Sequence, residues 1–75
     1  MNFDKELNAR GLSCPLPIVK TKKALNDMTT GQVLKIVATD PGAVKDFQAF
    51  AKQTGNVLVQ QETVGGDHIS ILKRR

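Results

Sequence analysis

Apolar and polar residues follow two periods along this chain: a period of two, typical of strands, and a period near 3.6, typical of helices. Residues 3–9 alternate only weakly, which predicts a first strand at the edge of a sheet. Residues 15–28 have helical spacing and predict a first helix that stops at Gly31. Its buried face should contain Ile18, Thr21, Ala24, Leu25 and Met28, with Lys20, Lys23 and Asp27 turned away.

The second half of the chain predicts one more helix and three more strands. Residues 33–39 are almost continuously apolar and β-branched, as in a central strand. Asp40 and Pro41 then predict a helix N-cap and first turn, and Gly55 the helix end. The buried face of this helix should contain Val44, Phe47, Phe50 and Ala51. Residues 57–64 and 68–73 flank a turn-rich spacer and predict an antiparallel hairpin.

The resulting βαβαββ order predicts a two-layer α/β sandwich of the α+β kind, formed by residues 1–75 as one domain. Right-handed crossovers place both helices on the same face of a four-stranded mixed sheet. The other face of the sheet should be solvated or should contact a partner, and Lys35, Gln60 and Ser70 are compatible with that position.

Composition narrows the class of protein. With 40% apolar and 24% charged residues, the chain resembles ordinary soluble domains, and at 75 residues it is too small for a deep active site. No membrane-span pattern and no signal pattern is visible, so we expect a cytoplasmic protein. One cysteine cannot form an internal disulfide, and one cysteine with one histidine cannot supply a structural zinc site, so we expect no metal.

The most informative chemical feature is Cys14, which stands in the segment Gly-Leu-Ser-Cys-Pro-Leu-Pro where the first strand gives way to the first helix. Proline is favoured at the first helical position, so Pro15 predicts that Cys14 caps the helix. The positive end of the helix should lower the pKa of the thiol modestly, leaving it mostly protonated at neutral pH. Pro15 and Pro17 lack N–H groups, so Leu16 and Ile18 would be the main donors to an anion there.

Gly11, Cys14, Pro15 and Pro17 together make the chain resemble the TusA/SirA family of small sulfur-carrier proteins. The resemblance covers almost the whole length. It also includes Thr39-Asp40-Pro41 after a strand, Asp46 in the second helix and the C-terminal hairpin. Many relatives carry an acidic residue shortly before the glycine, whereas this chain has Asn8, which is a departure from the family pattern.

The resemblance implies a sulfurtransferase that acts with partner proteins. Cys14 would accept sulfane sulfur as a persulfide, with no other cofactor, from a cysteine desulfurase or a rhodanese-like donor and pass it to an acceptor protein. Family members serve transfer-RNA thiolation, molybdenum cofactor supply or the oxidation of sulfur compounds. We expect a monomer that does not bind membranes.

Other residues have expected roles that do not depend on the family resemblance. Gly11 should permit a tight turn, and Arg10 could lend positive charge to a persulfide anion. Asp40 is expected to cap a helix, and neither His68 nor any carboxylate is spaced to serve Cys14 as a base. Thiol exchange needs no such base. A basic stripe is expected along the first helix, where a partner protein would dock; it consists of Lys20, Lys22 and Lys23.

Two other functions remain open from the sequence. The net charge of +4 would suit a basic RNA-binding module, and the βαβαββ order resembles that of a domain of a bacterial translation initiation factor. The absence of Trp and Tyr argues against direct binding of nucleic acid. Cys14 could also be a redox sensor in a regulatory interaction protein, oxidised reversibly to a sulfenic acid or a mixed disulfide.

Overall fold

The structure is a computed structural model that describes residues 3–75, and it has the six elements in the predicted order. These elements are β1 (Lys5–Ala9), α1 (Leu16–Asn26), β2 (Val33–Ala38), α2 (Ala43–Thr54), β3 (Val57–Val64) and β4 (Asp67–Lys73). The sheet order is β1-β2-β4-β3, in which β1 pairs with β2 in parallel and β4 is antiparallel to both of its neighbours. The predicted four-stranded mixed sheet is therefore confirmed, and β1 lies at an edge as expected.

Both helices cover the same face of the sheet. The buried cluster joins Leu34 and Ile36 of β2 and Leu72 of β4 to side chains of both helices, with Phe47 of α2 almost completely buried. Thr21 also lies in this layer without exposure, and its hydroxyl donates to the Pro17 carbonyl at 2.7 Å, so no buried polar atom is left unpaired there. The predicted faces of the two helices are thus largely correct.

The prediction for Ser70 was wrong, because this residue faces the helices. It pairs with Ile36 across the β2–β4 ladder and is only 2% exposed, and its hydroxyl lies 3.2 Å from the Gln61 amide nitrogen. The pleat forces this orientation, since Ser70 stands two residues before the buried Leu72. Lys35 and Gln60 both pair with Ile71 and lie on the opposite face, as predicted.

Two helix boundaries differ from the predictions, and a third agrees with its prediction. α1 ends at Asn26, and Gly31 (φ 89°) lies in the later turn that leads into β2. Within residues 3–75, α2 is capped by Gly42 without a side-chain cap, and the Asp40 backbone carbonyl accepts from the Ala43 N–H in the turn before the helix. Gly55 has the predicted left-handed conformation, with φ 79°, at the end of α2.

Neither helix within residues 3–75 has the length and apolar character needed to cross a membrane.

Leu34→Ala should lower the free energy of unfolding by about 2–5 kcal/mol, because it leaves a cavity beneath both helices where Leu34 is 0% exposed. Val57→Ala is the control, since Val57 is 54% exposed and its truncation should cost at most about 0.5 kcal/mol. Urea unfolding measures both values. A loss for Leu34→Ala no larger than that for Val57→Ala would contradict the assignment of the core.

Candidate functional site

Cys14 lies in the connection between β1 and α1, at the edge of the sheet where the parallel strands β1 and β2 end. Its side chain is exposed, and it is the only cysteine of the chain. The predicted position at the rim, beside the loop after the first strand, is therefore correct.

The loop before Cys14 is held by contacts to two other parts of the sheet. Gly11 has φ 79°, the positive value expected of a tight turn, and its N–H donates to Thr39 Oγ1 at 2.9 Å. Arg10 binds the Asp67 carboxylate through two nitrogens, at 3.2 Å from Nε and 3.0 Å from Nη2. These contacts tie residues 10–11 to the end of β2 and to the start of β4.

Arg10 is thus occupied by Asp67 and is not directed at the thiol, in contrast to the charge donation that the sequence suggested. The pairing raises the pKa of Arg10 and lowers the pKa of Asp67, in each case chiefly through the hydrogen bond between them. Asn8 Oδ1 accepts from the Arg10 N–H at 3.1 Å and from its Nη1 at 3.3 Å. The residue that departs from the family pattern therefore orients Arg10 through a neutral amide.

The N-cap of α1 is Pro15 and not Cys14, which corrects the sequence prediction by one residue. The Leu16 N–H donates to the Ser13 carbonyl at 2.9 Å, and the first helical bond runs from the Val19 N–H to the Pro15 carbonyl at 3.1 Å. Among residues 3–75, no side chain forms a capping hydrogen bond to this helix. The Leu16 N–H, which the sequence suggested as a donor to an anion, is consequently already used within the turn.

A carboxylate that the sequence argument did not place at the site lies beside the thiol. Cys14 and Asp46, from the first turn of α2, line the same groove between the two helices. The pKa of Cys14 is raised, first by the polar interaction of the thiol with the Asp46 carboxylate, then by desolvation and by the charges of Asp46 and Asp40. The expectation that the helix end would lower this pKa was therefore wrong in direction, while protonation at neutral pH follows from both arguments.

The groove has a volume of about 230 Å³ and is open to solvent. Pro15 and Ile18 line it on the α1 side, and Ala49 and Phe50 line it on the α2 side. Pro17 is buried beneath the helix start, so it shapes the loop from inside, while Leu16 is exposed. An open groove of this size can admit a side chain or a short segment of another protein but cannot enclose a substrate.

The three lysines of the predicted stripe do not share one face. Lys22 lines the groove that contains Cys14, whereas Lys20 and Lys23 line a separate depression of about 220 Å³ against β1, together with Lys5. The helical angle of 100° per residue explains this separation, since Lys22 differs from Lys20 by more than half a turn. Of the three lysines, only Lys22 therefore lines the groove that contains the thiol.

His68 does not join the site. Its Nδ1 lies 3.0 Å from Thr63 Oγ1 across the β3–β4 pair, and it does not line the groove.

The sequence argument missed Asp46 because this residue is 32 positions from Cys14 in the sequence, and only the packing of α2 beside α1 reveals their proximity. Its place in the first turn of a helix, in a chain that matches the family pattern, was the available signal.

Asp46→Asn should lower the pKa of Cys14, because it removes both the anionic acceptor and the negative charge that favour the protonated thiol. More thiolate will then be present at neutral pH, and alkylation by iodoacetamide will be faster. The pH dependence of the alkylation rate measures the pKa. Asp27→Asn is the matched control, since it removes one carboxylate at the opposite end of α1. An unchanged or higher pKa in Asp46→Asn would contradict this account of the site.

Comparison with known proteins identifies the fold and the family. A family model described as sulfurtransferase TusA matches residues 5–74. The crystal structure of a SirA-like protein from Desulfitobacterium hafniense superposes with a TM-score of 0.77 over 93% of this chain and 96% of that one, at 23% sequence identity. That likeness establishes the βαβαββ sandwich independently of the sequence pattern.

Two curated proteins are similar over nearly the whole chain. The sulfur carrier protein TusA of Allochromatium vinosum is 58% identical over 73 residues, which is 97% of this chain and 96% of that protein. The sulfur carrier protein TusA of Pseudomonas aeruginosa is 32% identical, over 99% of this chain and 94% of that protein. Because the family model and these relatives match nearly the whole chain, the chain belongs to the TusA family of sulfurtransferases.

Proposed function

We propose that this protein carries sulfane sulfur as a persulfide on Cys14, receiving it from a donor protein and delivering it to an acceptor. The observation that carries the proposal is the exposed thiol at the mouth of an open groove, where a cysteine of another protein can reach it. Membership of the TusA family supports sulfur transfer as the general activity. The donor is a cysteine desulfurase or a rhodanese-like protein, and the cytoplasm is the compartment.

Uptake is a thiol exchange with no net oxidation. Cys14 loses its proton and its sulfur attacks the terminal sulfur of the donor persulfide. A new S–S bond forms on Cys14 while the S–S bond of the donor breaks, and the donor thiolate leaves and takes up a proton. The raised pKa of Cys14 favours the neutral thiol in the free protein, so Cys14 must lose its proton before it attacks the donor sulfur.

Delivery repeats the exchange in the other direction. A persulfide is more acidic than a thiol, so the loaded carrier is ionised where the empty carrier is neutral. The nearby Asp46 and Asp40 carboxylates repel this anion, which favours transfer to an acceptor thiol or cofactor-bound site. The acceptor serves transfer-RNA thiolation, molybdenum cofactor supply or the oxidation of sulfur compounds.

The surface next to Cys14 is suited to transient docking. Leu16 and Val19 lie one turn apart at the start of α1 and are 46% and 53% exposed. Positive charge flanks this apolar patch in the form of Lys20, Lys22 and Lys23, all of which are exposed. An apolar centre with a charged rim is typical of protein interfaces, and the rim charges mainly set the rate of association with an acidic partner.

Cys14→Ser should fold normally and should abolish sulfur uptake, because the side chain is exposed and supplies the only thiol. The wild-type protein, mixed separately with a cysteine desulfurase plus cysteine and with a rhodanese-type donor, should gain one sulfur that reductant removes. Intact-protein mass spectrometry with peptide mapping measures the gain and locates it. A sulfur gain in Cys14→Ser, or none in the wild type with either donor, would refute the proposed function.

Reversing the charges of Lys20, Lys22 and Lys23 to glutamate should slow transfer from a protein donor, because association with an acidic partner is weakened. The effect should shrink at high salt, which screens surface charges. Transfer rates from stopped reactions at low and high ionic strength measure it. The matched control reverses three other exposed lysines, Lys45, Lys52 and Lys73. Equal slowing in both triple variants would mean that only net charge matters.

A further inference from the structure

The groove at Cys14 continues along the seam between α1 and α2. A second depression of about 280 Å³ shares Lys22, Phe50 and Thr54 with the first one and reaches Arg74 and Arg75. Because they share these lining residues, the two depressions form one continuous groove, which we call the interhelical groove. Its floor is apolar at Phe50, and its two ends carry opposite charge.

At the Cys14 end, Asp46 supplies negative charge. Towards the other end the charged lining residues are cationic, and no acidic side chain among residues 3–75 lines the second depression. Arg74 is partly committed to the fold, since its Nε donates to the Leu25 carbonyl at the end of α1 at 2.8 Å. Lys22 and Arg75 form no ion pair with a side chain in residues 3–75, so their charges are available to a ligand.

Helix geometry gives the separation of the two ends. Lys22 follows Cys14 by eight residues, which corresponds to about 12 Å along α1 at 1.5 Å per residue. The Arg75 side chain lies against Gly55, nine residues after Asp46, which corresponds to about 14 Å along α2. An extended chain advances about 3.3 Å per residue and covers either distance in about four residues.

We propose that the interhelical groove binds an extended acidic segment of the partner protein, the segment that carries the partner's reacting cysteine. The cysteine lies at the Asp46 end, an apolar side chain lies over Phe50, and carboxylates about four residues from the cysteine face Lys22 and Arg75. The groove thereby sets the spacing between the cysteine and the carboxylates of the segment. This inference rests on the proposed function, because it assumes that a protein thiol must reach Cys14.

Binding can be tested without sulfur chemistry by using the Cys14→Ser protein and fluorescence anisotropy. The probe is a labelled synthetic peptide with serine in place of the reacting cysteine, a leucine two residues further on, and glutamates at the fourth and fifth positions after the serine. A second peptide carries lysines in place of the glutamates. We expect the acidic peptide alone to bind, and Lys22→Glu and Arg75→Glu each to weaken it by about three- to tenfold.

Lys73→Glu is the matched control, because it makes the same change in charge on the far face of the sheet, one residue after the buried Leu72. It should change affinity less than about twofold, the size of a remote surface effect. Equal binding of the lysine peptide, or an equal loss in Lys73→Glu, would overturn the proposal. An oligonucleotide is tested as a competitor of the peptide. If it displaces the peptide, and if Lys22→Glu and Arg75→Glu weaken its binding in the same way, the groove binds nucleic acid and the proposal is overturned.

The proposed function is tested separately by loading wild-type Cys14 from inorganic polysulfide, which needs no docking. Mass spectrometry measures the gain of one sulfur on Cys14 of the wild-type protein. If Cys14 takes up no sulfur from polysulfide or from a protein donor, the proposed function fails. If loading proceeds but the acidic peptide does not bind, only the role of the groove fails.

Discussion

The parallel pairing of β1 with β2 determines where the chemistry of this protein can take place. Parallel neighbours must be joined by a crossover, here α1, and the following α2 returns in the same way towards β3, which runs parallel to β2. Both helices therefore begin at the same edge of the sheet. This places Cys14, before the start of α1, next to Asp46, in the first turn of α2, although neither residue is near the other in sequence.

The site consequently combines two opposing electrostatic influences. The start of a helix favours a negative charge, whereas a neighbouring carboxylate disfavours one, and at Cys14 the carboxylate dominates. A nucleophile built for rapid reaction with any electrophile would have the reverse balance. In the proposed carrier, this arrangement suits a thiol that reacts with sulfur offered by a docked partner, since a smaller thiolate fraction slows reaction with other electrophiles.

The sequence predicts those parts of the structure that depend on local periodicity. The order of elements, the buried faces with Phe47 and Leu25, the hairpin and the rim position of Cys14 all follow from it. The errors arise where a tertiary contact or a single hydrogen bond decides. A turn bond from Leu16 to Ser13 moves the cap to Pro15, and the register with Ile36 turns Ser70 inward. Likewise, the position of Asp46 depends on how two helices pack, which periodicity within either helix cannot specify.

The bidentate contact between Arg10 and Asp67 joins the loop that leads to Cys14 to the turn between β3 and β4. Together with the bond from Gly11 to Thr39, it fixes the backbone before the cysteine in the unbound protein. A partner that docks here does not have to order this loop, so little conformational entropy is lost on binding. In the proposed sulfur relay, even a weak, short-lived complex can then meet the thiol in the same position at every encounter.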